Sequence, residues 1–276
     1  MRYAICNETF PGWEHQDICR FIAELGYQGL ELAPFTLAPR ITDVTEAQRR
    51  QLRQQAEAAG IQILGLHWLL ARTEGLLVTS PDPETRKRTA AYLSELARCC
   101  RDLGGDILVL GSPAQRRIPD GFSREHAFAW AADTLRQVLP ALEETGVYLC
   151  VEPLSPPEAD FLLNAAEAVQ LLDALDHPLC QLHLDVKAMA AEAEPAEQVI
   201  RTHARRLRHF HANDVNRRGP GFGDTDFVPI LQALRDIRYQ HWVSIEVFDY
   251  SPDPQTIARE SIRYLRSCAA KAGLQD

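Results

Sequence analysis

Four residues able to bind a cation or carry a proton stand at the ends of short apolar runs. Glu152 closes "YLCVEP", Asp185 closes "CQLHLD", His211 lies in "HFHAND" and Glu246 in "VSIEVF". A charge buried at the end of such a run without a partner costs several kcal/mol or shifts its pKa until it neutralises, so each needs a basic side chain or a metal ion. Three carboxylates and one neutral imidazole make an oxygen-rich, hard donor set that suits Mn²⁺, Mg²⁺ or Co²⁺ and leaves positions open for substrate oxygens. The lack of thiolates argues against a structural zinc site. A cation bound to the hydroxy-carbonyl pair of a sugar polarises the carbonyl and stabilises the enediolate formed when the neighbouring C–H loses its proton. Two carboxylates flanking that carbon can remove and return the proton. Glu152 and Glu246, on opposite sides of the set, are the natural pair; ligation without proton transfer is the other role open to them.

Taken singly, each of these acids reads as a helix N-cap or a salt-bridge partner; their convergence is what points to a metal. Convergence requires a scaffold. Short β-rich runs are expected as strands at Tyr3–Cys6, Gly29–Leu32, Gln62–Leu66, Ile107–Leu110, Tyr148–Val151, Gln181–Leu184, Arg208–His211 and Trp242–Val247. Segments of helical period follow each of them. Thr45 or Asp43 is expected to cap the helix in "TDVTEAQRRQLRQQAEAAG", with Gly60 as its stop. Strict alternation of eight strands with helices predicts an α/β fold, a single (β/α)8 TIM barrel over residues 1–276, with the chemistry at the C-terminal ends of the strands. A doubly wound open sheet competes, but the first βα turn, "CNETFPGW", has no GxGxxG cradle.

The formal net charge is −9, from 29 basic and 38 acidic side chains. Such a field repels phosphate backbones and anionic headgroups, which excludes nucleic acid and membrane surfaces as expected partners. "MRYAICNETF" carries no signal pattern and no run reaches the length of a membrane span, so a cytoplasmic protein is expected. The seven cysteines sit in apolar or helical contexts without a CxxC pair and read as reduced, buried thiols.

Further residues are placed near the expected mouth, each with two readings. His67, ending "ILGLH", is a substrate contact or a satisfied polar residue. Trp13 and Trp68 stack on a sugar face or pack under a loop. Phe35 joins them as an apolar residue of the mouth. His209 and His183 are expected in the layer beneath His211 and Asp185.

The chain resembles the xylose-isomerase-like TIM barrels of the sugar (phosphate) isomerase/epimerase family, in particular the D-tagatose/D-psicose 3-epimerases. The likeness is most specific in "VEPLSPPEADFLLNAAEAVQLL", "LHLDVKAMAAE", "HFHANDVNRRGPGFGDTDF" and "VSIEVF". It implies one divalent ion, Mn²⁺ before Co²⁺, Mg²⁺ or Zn²⁺, held by Glu152, Asp185, His211 and Glu246, with Glu152 and Glu246 doubling as acid/base groups. It also implies that Glu158 and Arg217 touch a sugar near the reacting carbons, and that barrels pair into a homo-oligomer. A guanidinium on the loop after strand seven can bind hydroxyls, a carboxylate or a phosphate in its own right; a solvated loop charge beside Arg218 is its other reading. Where these epimerases carry a histidine three residues after the metal aspartate, this chain has Ala188. Lys187 either replaces that contact or neutralises the carboxylate cluster. In "GPGFGDTDF", glycines let the backbone approach a ligand, Asp226 is a candidate supporting residue and Asp224 a helix cap.

The expected activity is therefore metal-dependent isomerisation or epimerisation of a ketose or keto-sugar. A 3-keto-glycoside lyase or keto-inositol dehydratase would share the same proton abstraction. An endonuclease of this superfamily needs more histidines at the mouth, and a non-catalytic sugar-binding barrel has no need of four ligands.

Overall fold

The computed structural model describes residues 1–274. The chain runs β1 (Arg2–Cys6), α1 (His15–Glu24), β2 (Gly29–Leu32), α2 (Glu46–Ala58), β3 (Gln62–Leu66), α3 (Pro83–Leu103), β4 (Ile107–Leu110), α4 (Arg124–Arg136) and α5 (Leu139–Thr145). It continues with β5 (Tyr148–Val151), α6 (Ala165–Leu175), β6 (Cys180–Asp185), α7 (Val186–Met189), α8 (Ala196–Thr202), β7 (Leu207–Ala212), α9 (Phe227–Asp236), β8 (Trp242–Ile245) and α10 (Pro254–Lys271). The strands pair in parallel in chain order and β1 closes on β8, forming the expected eight-stranded barrel.

Local chemistry sets the helix boundaries. Thr45, not Asp43, caps α2, in a reciprocal capping box with Gln48. Asp82 accepts from the backbone N–H groups of Glu84 and Thr85 to start α3, with Pro83 in the first turn. Gly104 takes a left-handed conformation at φ 91° to end that helix and release the chain toward β4.

Strand side chains alternate between two faces. The outward ones, among them Leu30, Leu108, Leu149, Leu184, Phe210 and Val243, pack under the helices in one large core. The inward ones divide into two levels. Ala4, Leu64, Ile107, Val109, Cys150 and Trp242 form a separate apolar cluster at the N-terminal end of the strands, covered by the Arg2 guanidinium 3.9 Å above the Trp242 ring. Toward the C-terminal ends the same alternation brings in buried polar side chains: Cys6, Glu31, His183, Asp185, His209, His211 and Ser244.

The β6–β7 pairing is irregular. Leu182 stands opposite Leu207, but His183 stands opposite His209, so Arg208 is an extra residue in β7. Beyond it, Asp185 pairs with His211 in register. Strand β8 ends at Ile245, earlier than expected, although the Glu246 N–H still donates to the Ala212 carbonyl of β7 at 3.3 Å.

Candidate metal and sugar site

Glu152, one residue beyond β5, is buried, and its backbone carbonyl accepts from the buried Arg116 guanidinium. Room for its carboxylate comes from Gly111 at the tip of β4, where an added Cβ would lie 2.2 Å from Glu152 Oε2. Asp185 ends β6 and caps α7: Oδ1 accepts from the Ala188 N–H at 2.8 Å, and Oδ2 from the Asn213 side-chain amide at 2.5 Å. The cap reading and the cluster reading of Asp185 are thus both realised.

His211 sits between two carboxylates, with Nδ1 3.2 Å from Glu246 Oε2 and Nε2 3.1 Å from Glu31 Oε2. Glu246 Oε1 accepts from the Trp68 indole N–H at 2.6 Å, and Trp68 adopts φ 52° to present that group. His67 is fully buried, with Nε2 2.9 Å from Glu8 Oε2 and 4.0 Å from Glu246 Oε1.

His183 was expected to pack below the site. It does stand one layer below Asp185, level with His209; from there its ring meets His211 edge-on at 4.2 Å, both of its nitrogens are buried without a hydrogen bond, and one of them lies near Glu152 and Asp185. Glu152, His183, Asp185 and His211 each offer a ligand atom within 4.8 Å of the others. Glu246 joins them through His211.

The outer residues are less tightly gathered. Lys187 Nζ lies 2.6 Å from Glu158 Oε2 and 4.8 Å from the centre of the Phe248 ring, tying two expected sugar-contact positions to each other. Arg217 is exposed, with its guanidinium 5.7 Å from the same ring. Trp13 packs against Phe10 and Phe21 and, with Trp68 and Phe35, lines a cavity of about 910 Å³. One loop assignment is corrected: Asp226, not Asp224, caps α9, accepting from the Val228 N–H. At Gly223 the backbone comes close to a side chain of the same loop: a Cβ there would lie 2.2 Å from Asp214 Oδ1.

The electrostatics separate the acids. Burial, reinforced by the charges of Glu246 and Asp185, lifts Glu152 to about 8. Burial and then Glu246 lift Asp185 to about 6, although Lys187 opposes the shift. Burial also acts to raise Glu246, but the adjacent His211 overrides it and holds this carboxyl below its ordinary value. Glu31, equally buried, is held well below by His209 and His211.

The donor set fits a divalent cation. Glu152 and Asp185 are acids raised by burial and by neighbouring acids, and His183 and His211 place imidazole nitrogens beside them. His211 has the arrangement common to metal-binding histidines, one ring nitrogen toward the ligand cluster and the other against a carboxylate, Glu31. Sequence reasoning missed Glu31 and Glu8. Glu31 lies on the inward face of β2, two positions beyond Gly29 in "GLEL", but nothing in that stretch shows the histidines it faces.

The model of the family described as "Xylose isomerase-like TIM barrel" matches residues 19–268. A D-psicose 3-epimerase from Ruminiclostridium cellulolyticum is 29% identical over 231 residues, covering 82% of this chain and 76% of its own. A 3-dehydro-D-guloside 4-epimerase from Escherichia coli K12 is 28% identical over 275 residues, covering 97% of this chain and 100% of its own. The crystal structure of an E. coli 3-keto-D-glucoside 4-epimerase superposes with a TM-score of 0.84 at 21% identity, covering 97% of this chain and 100% of that one. Among the described residues, no helix is long and apolar enough to cross a membrane.

Proposed function

The chain belongs to the xylose isomerase-like TIM barrel family, and on that premise we propose that it is a divalent-metal-dependent epimerase of ketoses or keto-sugars. The observation that carries this reading is the buried cluster at the barrel mouth, in which Glu152, His183, Asp185 and His211 bring ligand atoms within 4.8 Å of one another and Glu246 stands 3.2 Å from His211. The similar epimerases, which act on free ketoses and on 3-keto-glycosides, agree in reaction type.

In this reading Glu152, Asp185, His211 and Glu246 hold the ion, for which Mn²⁺ suits the hard, carboxylate-rich set. When bound, such a cation polarises the substrate carbonyl and offsets the negative charge that develops on its oxygen. Glu246 takes the proton from the carbon beside the carbonyl. The Trp68 N–H and His211 orient its carboxylate. Glu152, carrying a proton, delivers it to the opposite face, and the configuration at that carbon inverts. Lys187 and Glu158 bind hydroxyls as a fixed pair, and Arg217 closes over them from the β7–α9 loop.

The test is proton exchange. The Mn²⁺-loaded protein, given D-psicose, D-tagatose or a methyl 3-keto-glucoside in D₂O, should place one deuterium on the carbon beside the carbonyl of a sugar that it epimerises. No exchange with any of them, nor with Co²⁺ or Mg²⁺, would overturn the assignment.

A further inference from the structure

We propose that the substrate is a keto-glycoside whose second, uncharged sugar ring lies in the cavity between the β1–α1 loop and α2. The inference rests on the epimerase reading and narrows it to a substrate class.

The cavity, about 910 Å³, lies near the top of the range of roughly 300–1,000 Å³ for small-molecule sites. A free hexulose placed at the carboxylate cluster would leave most of it empty. It adjoins that cluster, because Glu8 and Trp68 are among its walls, Trp68 donates to Glu246, and Glu8, His67 and Glu246 bring ligand atoms within 4.8 Å of one another.

Glu8 gives the cavity a reason to be filled. It is only 7% exposed; Oε2 lies 2.9 Å from His67 Nε2, and Oε1 has no hydrogen-bond partner. A buried acceptor at a cavity wall lacks what a sugar hydroxyl supplies. Outward from Glu8 the walls are aromatic, with Trp13 and Phe35, and then amide, with Gln51 and Gln55 of α2. Flat aromatic faces with a few donors and acceptors recognise an uncharged sugar ring.

Charge rules out a phosphorylated extension. The walls carry the acids Glu8, Glu14 and Asp17 against the guanidinium of Arg72, which is itself stacked 4.2 Å above the Phe35 ring. A phosphate there would face a net negative field.

The experiment compares the Mn²⁺-loaded protein on three sugars in D₂O: a 3-keto-disaccharide, the matching methyl 3-keto-glycoside and D-psicose. The disaccharide should show a kcat/KM at least tenfold above the methyl glycoside, carried mostly in KM. Gln51→Trp, on the exposed face of α2, should bring that ratio close to one, and Gln55→Trp should do the same from a second position. Equal rates on all three sugars, or a ratio that neither substitution moves, would overturn the subsite and leave the epimerase reading in place. Exchange from none of the three would overturn both. Faster reaction of a 6-phosphorylated keto-sugar than of the disaccharide would overturn the uncharged ring.

Discussion

Glu31 accepts from His211: the carboxylate oxygens lie 3.2 and 3.1 Å from Nε2 of a ring whose Nδ1 faces Glu246 at 3.2 Å. Neither residue is free to turn, since both are buried and Glu31 is held on its other side by His209 Nε2 at 3.0 Å. Glu31 therefore fixes which nitrogen His211 presents to the cluster. Glu31→Gln should weaken Mn²⁺ binding by about 10- to 100-fold, the usual cost of losing a carboxylate behind a metal-binding histidine. Free Mn²⁺ measured by electron paramagnetic resonance during titration checks this, and unchanged affinity would rule it out.

Glu246→Gln keeps the size of the side chain and removes its basicity. Turnover and deuterium exchange should fall by about 10²- to 10⁴-fold, the range expected for a lost acid/base group, while the circular dichroism spectrum stays that of the parent. An active Glu246→Gln protein would remove Glu246 from the proton path.

Gly111→Ala tests the room given to Glu152. The new methyl would stand 2.2 Å from Oε2, a position only the carboxylate can vacate by swinging aside. Stability should change by less than the ~1–3 kcal/mol typical of overpacked cores, because a side-chain end yields in place of backbone. Exchange should nevertheless fall at least tenfold, since the proton donor has moved. A normal rate would show that Glu152 need not occupy its observed position.

Metal removal should make stability fall with rising pH. Glu152 is raised from 4.5 to about 8 and Asp185 from 3.8 to about 6. Groups raised in the folded state contribute stability that is complete below their unfolded pKa and is lost as pH climbs through the folded one. The loss is greatest in the metal-free protein between about pH 5 and 8, and amounts to roughly a few kcal/mol at most. Glu31 and Glu246 are shifted down, so their contribution disappears only on the acid side, below about pH 4.5. Melting curves in chelator should show Tm dropping from pH 5 to 8, with Mn²⁺ restoring it most at pH 8. A Tm independent of pH in chelator would contradict this.

The barrel was readable from the sequence because its signals are local. Apolar runs alternate with helical periods, and β2, β3, β4 and β5 have the bounds expected of them. The four ends of runs that carry acid or imidazole were readable for the same reason: a charge after an apolar stretch stands out in one dimension. What could not be read depends on depth within the barrel. Glu31 looked like an ordinary strand residue because nothing local shows that β2 faces two histidines across the interior. His183 was placed in its layer, level with His209, but its proximity to Glu152 could not be read because it depends on how β5 and β6 are staggered. The cap of α9 was read too early in the loop, at Asp224 in place of Asp226, because the helix begins later than the loop pattern suggested. Trp13 and Trp68 were each given two readings, and the structure realises packing and cavity lining together.

Arg208 has a consequence beyond its own contacts. As the unmatched residue of β7, it is the single count that turns His209 and His211 inward together. Side chains of a strand change face at every step, so removing this one position would swing both imidazoles out under the helices and put Phe210 in the opening. The chemistry of this mouth thus depends on the parity of one strand, and a chain one amino acid shorter there could keep the barrel and lose its histidines.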